Sequence, residues 1–187
     1  DGVNQCLQAL IDSKQQDNIL VRIVYLNGTQ LVPYTPLTNV PLLDAHNYRA
    51  NGGTPLYDES VTTLATVIAK TKDFENNGVQ VRTITAICTD GADCGSRNSN
   101  KHDVYTVVKD MFTAEKHIVA GIGFSDGSTD FDRVFNEMGV PSQWILTAGS
   151  TPTEIRKAFN VFSRSATSAS KSAANFAQTS MGGFGNP

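Results

Sequence analysis

The sequence predicts an α/β fold in three layers: a doubly wound, mainly parallel sheet with one antiparallel edge strand. Three observations lead there. Apolar, β-branched runs alternate with stretches of helical periodicity, the order that covers a parallel sheet with helices on both faces. The runs Ile19 to Leu26 and Ile84 to Cys88 are apolar on both alternating sets of residues, as expected of strands buried on two sides. Asn27-Gly28 supplies a turn in which both residues tolerate positive φ, and the strand behind it carries Pro33, which a sheet accepts only at an edge.

Taken in order, Val3, Leu7, Leu10 and Ile11 fall at helical spacing and predict a first helix to about Lys14. Ile19 to Leu26 is the first strand, broken only by Arg22, and Thr29 to Tyr34 returns from the Asn-Gly hairpin. Residues 35 to 53 read as a long polar loop. A second helix is expected to start at Thr54 with Pro55 as its first residue, carrying Leu56, Val61, Leu64, Val67 and Ile68. Val79 to Thr89 is the next strand. Val104, Val107, Val108, Met111 and Phe112 mark the third helix, and Ile118 to Phe124 the strand after it. Thr129 and Asp132 have capping-box spacing ahead of a fourth helix through Phe131, Val134 and Phe135. Trp144 to Leu146 is a short last strand, with Trp144 packed in the core or at its rim. Thr151-Pro152-Thr153-Glu154 is a second capping box with proline at the first helical position.

The final helix carries a heptad-like seam of Ile155, Phe159, Phe162, Ala166, Ala169, Ala173 and Phe176, lined with Ala and Ser in its later half. Small residues there allow a close backbone approach, by a partner chain or by the domain itself; the alternative is a frayed Ser/Ala-rich tail. Gly182-Gly183-Phe184-Gly185 is expected to be flexible. The chain divides into a domain over residues 1–163 and a helical extension with a glycine-rich tail over 164–187.

With 187 residues, 40% apolar and 18% charged, the chain is long enough for one domain with a sizeable core. Its net charge of −3 is uneven, because residues 155–187 hold four bases and no acid, leaving −7 on residues 1–154. An acidic body without basic clusters is a poor match for a nucleic-acid backbone, so no nucleic-acid partner is expected. No apolar run of about 18 residues is present and Asp1-Gly2-Val3-Asn4 does not open a signal peptide, so no membrane partner is expected either. Cys6, Cys88 and Cys94 form an odd set without Cys-x-x-Cys spacing, which points to free thiols in a reducing cytoplasm. Cys88 and Cys94 pair only if the loop between them folds back.

No enzyme chemistry is expected. Neither a Gly-x-Ser-x-Gly elbow nor a phosphate-binding Gly-x-x-x-x-Gly-Lys-Ser/Thr loop is present, and Gly121-x-Gly123 lacks the dinucleotide fingerprint. His46, His102 and His117 lie far apart in sequence, two in loops and one opening a strand. Asp126, Ser128 and Asp130 have the spacing of a cation loop without its glycine and distal glutamate, so a strand-to-helix turn with an N-cap is the better reading.

Two short motifs remain, Gly52-Gly53-Thr54-Pro55 and Cys88-Thr89-Asp90-Gly91, each placed where an apolar segment gives way to a polar loop. Within this order of elements, from about Asp1 to Phe162, they resemble two of the three metal-site loops of a von Willebrand factor A domain. Residues Ala50 to Leu56 and Phe162-Ser163-Arg164-Ser165-Ala166 are similar to the bacterial members encoded near tellurite-resistance and serine/threonine kinase and phosphatase genes. The resemblance implies that Thr54 and Asp90 are ligands of Mg²⁺, or of Mn²⁺ or Ca²⁺, completed by an acidic side chain of a protein partner. Gly52, Gly53, Gly91 and Asp93 would lie in the ligand-binding loops; Asp93 would reach the ion through water or remain a solvated acid. The third loop, Asp-x-Ser-x-Ser, is absent from the sequence, and the ion is expected only where that loop is present.

The resemblance also places a first strand between Ile19 to Leu26 and Val79 to Thr89. Its absence predicts a slot in mid-sheet, filled by residues upstream of Asp1 or by a partner's strand. The function it implies is metal-dependent protein binding in a bacterial stress or defence signalling complex, with kinase and phosphatase partners. The alternative is an assembly component that forms homo-oligomers through Phe162, Ala166, Ala169, Ala173 and Phe176, with a vestigial metal site.

Overall fold

A computed structural model describes residues 2–13, 18–49, 52–171 and 183–184. Its elements run α1 (Gly2–Asp12), β1 (Leu20–Val24), β2 (Gln30–Pro36), α2 (Leu56–Asn76), β3 (Thr83–Thr89), α3 (Lys101–Thr113), β4 (His117–Phe124), α4 (Phe131–Glu137), β5 (Ile145–Ala148) and α5 (Pro152–Lys171). Strands β3, β4 and β5 form a parallel sheet in that order, in register from Thr83 opposite His117 to Thr89 opposite Gly123. The antiparallel pair β1 and β2 is a separate sheet. This is an α/β architecture with a Rossmann-like layout.

Alternation along β4 fixes the layers. Gly121 and Gly123 point at α4, where a Cβ would sit 2.4 Å from the ring of Phe135 and 2.2 Å from that of Phe131. Only glycine lets that helix lie so close. Phe124, on the opposite face, stacks at 6.1 Å on Phe159 of α5. Helices α2, α3 and α4 pack side by side over one face, and α1 packs on α5 over the other. One cluster is built around Leu64, Val108, Met111, Phe131 and Phe135, and a smaller one around Cys6, Leu7, Leu10 and Leu37.

Local chemistry sets the helix ends. Asn100 and Asp103 form a reciprocal capping box at α3. Thr151 and Glu154 form the one expected at α5: the Glu154 N–H donates to Thr151 Oγ1, and Thr151 donates to the Glu154 carboxylate. At α4 the cap is Asp130, which accepts from the Arg133 N–H, while Thr129 donates to Asp126 and caps nothing. Helix α2 starts at Leu56, one residue after the Pro55 expected as its first residue, and neither Thr54 nor Pro55 caps it through a side chain.

Several expectations are corrected. Strands β1 and β3 are not buried on both faces: β1 is half-exposed, with Leu20 at 41% exposure, and Thr83 to Ala86 of β3 are half-exposed. The reason is non-local, since among the described residues neither strand is paired on the edge away from its one partner. β4, paired on both edges, is buried from His117 to Gly123. The hairpin closes through Tyr25 and Thr29, which makes Leu26-Asn27-Gly28 a three-residue loop with Gly28 at φ +83°, rather than a two-residue turn. The loop after β2 is shorter than read, because the strand continues to Pro36 and a 3-10 turn buries Leu37. Trp144 precedes β5 in a 3-10 turn and is fully buried. Phe184 is docked, not free: its N–H donates to the Gln143 carbonyl at 2.8 Å and its ring meets Trp144 edge-on at 5.5 Å.

Candidate functional site

The first turn of any helix leaves N–H groups without intrahelical partners. At α2 they are taken by a loop 36 to 39 residues away in sequence. The Tyr57 N–H donates to Asp93 Oδ1 (3.3 Å) and Ser96 Oγ (3.1 Å), and the Asp58 N–H donates to Ser96 Oγ (3.1 Å). Ser96 in turn donates to Asp93 Oδ1 at 2.5 Å. The helix returns the favour: the Asp58 carboxylate accepts from the N–H groups of Arg97 (2.8 Å), Asn98 (3.0 Å) and Ser99 (2.6 Å). These backbone donors, Arg97 first, hold the Asp58 carboxyl below the usual carboxylate range. Helix and loop therefore cap each other, and two acids beside the positive end of the helix are also well placed for its dipole.

This unit positions the two motif loops. Thr54 and Cys94 form an isolated antiparallel bridge in which the Cys94 N–H donates to the Thr54 carbonyl at 2.8 Å. Gly53 lies so close to this bridge that a Cβ would stand 3.2 Å from the Cys94 carbonyl oxygen, and Gly52 takes φ +95°, a conformation that favours glycine. Beyond β3, Thr89 Oγ1 donates to the Gly91 carbonyl at 2.8 Å and tightens the turn that carries Asp90. Asp90 is exposed. Neither its carboxylate nor the Thr54 hydroxyl forms a hydrogen bond among the described residues, whereas Asp58 and Asp93 are both committed to backbone N–H groups.

Tyr48 joins this region. Its ring packs 5.3 Å from Tyr25, whose hydroxyl accepts from the Arg49 N–H at 2.6 Å. Burial first, then Tyr25, Asp90 and Cys88, raise the Tyr48 phenol above its ordinary range. No pattern in the sequence points to Tyr48. Asp58 could have been suspected, as an acid in the first turn of a helix, but its loop partners could not.

The structure thus brings Gly53 and Thr54 against Cys94, with Gly91, Asp90 and Asp93 in the segment that leads there from β3. Asp93 is not a solvated acid, because the N-terminus of α2 occupies it. Among the described residues, no group of three or more His, Cys, Asp or Glu side chains could hold a metal ion. All three cysteines are free thiols; desolvation pushes Cys6 and Cys88 up to about 12, with Cys6 adding to the shift at Cys88, while Cys94 is exposed. His102 lies in the first turn of α3 rather than in a loop, stacked 6.2 Å from Tyr105. His117 opens β4 as expected. Asp126 accepts from the N–H groups of Ser128 (2.8 Å) and Thr129 (2.7 Å), as a turn before a helix requires.

On α5, Ala166 is buried in the smaller cluster and Phe162 packs against both, so this part of the seam faces the chain's own core. Ala169 lies on the helix, and Ala173 and Phe176 fall outside the described residues. A cavity of about 310 Å³ lies between β5 and α5, lined by Leu146, Ala148, Glu154 and Lys157 among others. Among the described residues no helix is long and apolar enough to cross a membrane. A scan of protein-family models and a search of curated proteins found nothing that matches this chain.

Proposed function

We propose that this chain is a protein-binding domain of the von Willebrand factor A kind, without catalytic machinery of its own, which acts through a divalent cation at the loops around Thr54 and Asp90. One observation carries the reading. The backbone bridge from Thr54 to Cys94 ties together the two loops that hold the motifs, yet the Thr54 hydroxyl and the Asp90 carboxylate stay uncommitted among the described residues. A threonine ahead of a helix ordinarily serves as its N-cap. Here Asp93 and Ser96 do that work, and the Thr54 hydroxyl is left for something else.

The donor chemistry suits a hard cation such as Mg²⁺, which prefers oxygen ligands in octahedral array and keeps several waters. Thr54 and Asp90 would hold it with one hydroxyl and one carboxylate, a set that needs further oxygens from outside these loops. The ion, when bound, would supply positive charge that an acidic side chain of a partner can reach. The loop of Gly91 to Lys101, braced by Asp58, would then select among partners. We place this activity in the cytoplasm, with a kinase and a phosphatase as the partner class.

Titration with Mn²⁺ followed by electron paramagnetic resonance tests the reading. Weak, saturable binding is expected, reduced at least about tenfold in Asp90→Ala, where one charged oxygen ligand is lost. Far-ultraviolet circular dichroism of the variant should be unchanged, since Asp90 makes no hydrogen bond among the described residues. Equal Mn²⁺ binding by both proteins would overturn the assignment.

A further inference from the structure

A 3-10 turn over Ser142–Trp144 leads into β5, and its internal bonds run from the Trp144 N–H to Pro141 and from the Ile145 N–H to Ser142. The ladder between β4 and β5 begins at Ile145. The Gln143 carbonyl, between turn and ladder, is thus left for a donor from elsewhere in the chain. The Phe184 N–H takes it at 2.8 Å.

Each residue of the docked pair meets its own constraint. Gly183 is buried at φ +83°, and a Cβ there would run into the Gln143 carbonyl oxygen, so only glycine lets the backbone approach. Phe184 is half-buried, its ring edge-on to Trp144 at 5.5 Å, a favoured arrangement of two aromatic rings. Trp144 belongs to the larger core cluster and is fully buried, yet its indole N–H has no acceptor among the described residues. The surface therefore selects glycine followed by an aromatic ring, and the pair that fills it leaves one buried donor unused. One backbone bond and one ring contact are a slight fastening, and an occupant on the same chain owes much of its hold to its high effective concentration.

We infer that the ledge formed by Gln143 and Trp144 is a recognition site for a Gly-Phe segment of a partner polypeptide, and that Gly183-Phe184 fills it as a displaceable internal ligand. The partner segment brings a glycine at positive φ, the N–H of the phenylalanine for the Gln143 carbonyl, and a carbonyl near the ring to accept from the indole. The internal copy competes with it, so the partner docks only where it is abundant or held nearby by a second contact. The ledge lies at the amino end of β5, whereas Asp90 follows the carboxyl end of β3, and both strands run parallel to β4 in one sheet. The ledge and the candidate cation loops are thus at opposite ends of the sheet, and the inference does not depend on the cation reading.

Trp144 is the single tryptophan of the chain, so its emission reports on the ledge directly. The probe is the synthetic peptide Met-Gly-Gly-Phe-Gly-Asn-Pro, the sequence of residues 181–187, with two control peptides that carry alanine in place of the phenylalanine or of the glycine before it. It is titrated into the full-length wild type, Phe184→Ala and Gly183→Ala; the second variant keeps the ring in the chain but bars the close backbone approach. The expected result is a saturable blue shift of Trp144 emission in both variants, at a peptide concentration at least about tenfold below that needed by the wild type, whose ledge is already filled. Neither control peptide should saturate. No saturable binding to either variant, equal binding of a control peptide, or equal affinity of wild type and variants would overturn the inference. So would dimerisation of the wild type that Phe184→Ala abolishes, which would give the ledge to a second copy of this chain.

Discussion

Acidification should weaken this fold through one residue, His117. Its ring is 2% exposed at the start of β4, with Nδ1 2.8 Å from Thr83 Oγ1. Desolvation by burial first, and then the neighbouring Lys116 charge, lower its pKa from 6.5 to about 4, against a smaller opposing effect of Glu75. The folded state thus holds the ring neutral while the unfolded chain takes up a proton below pH 6.5. Stability from this group is fully present above 6.5 and is lost as the pH falls toward 4, below which both states are protonated and the loss stops. At about 1.4 kcal/mol per pH unit, the window amounts to at most about 3 kcal/mol, a large share of a small domain's stability.

Urea denaturation at four pH values between about 7.5 and 4.2 would measure this in the wild type and in His117→Gln, which removes the titration. The wild type should lose about 2–3 kcal/mol more than the variant across that span. Asp126 and Asp58, whose carboxyls are held low by their hydrogen bonds, add their own acid loss at lower pH and equally in both proteins. Parallel profiles for the two proteins would refute the claim that His117 is buried as the neutral base.

Three further outcomes are expected. Gly123→Ala should cost about 1–3 kcal/mol by overpacking, because the new methyl meets the Phe131 ring, and Phe131→Leu should recover part of the loss in denaturant unfolding. Asp58→Ala should leave α2 in place but speed amide exchange at Arg97, Asn98 and Ser99; unchanged protection there would show that the carboxylate does not hold the loop. Phe184→Ala should shift Trp144 fluorescence to the red as water reaches the indole, and unshifted emission would mean that the ring contact does not shield it.

What the sequence made legible was local. The cap at α5 could be read because Thr151 and Glu154 are three residues apart, and β4 because its apolar run is continuous. The α/β order followed from the same kind of evidence. Exposure of β1 and β3 could not be read, since a β-branched run looks alike whether or not a neighbour pairs with it. At the candidate site the motifs located Thr54 and Asp90 but misjudged Asp93. Its partner, the Tyr57 N–H, is distant in the chain, and no local pattern distinguishes a capping acid from a solvated one. The docked Phe184 was hidden by its glycine neighbours, which suggested a loose end where the Trp144 ring supplies an anchor.

The bridge between Thr54 and Cys94 has a practical consequence of another kind. A thiol reacts as its thiolate, so Cys6 and Cys88, pushed up to about 12, are poor nucleophiles near neutral pH. Cys94 is the exposed thiol of the three, and its backbone is bonded to the threonine proposed to meet the ion. A maleimide dye or nitroxide added to the unmutated chain should therefore report from the junction of the two loops, and its signal can follow cation addition and partner docking without an engineered cysteine.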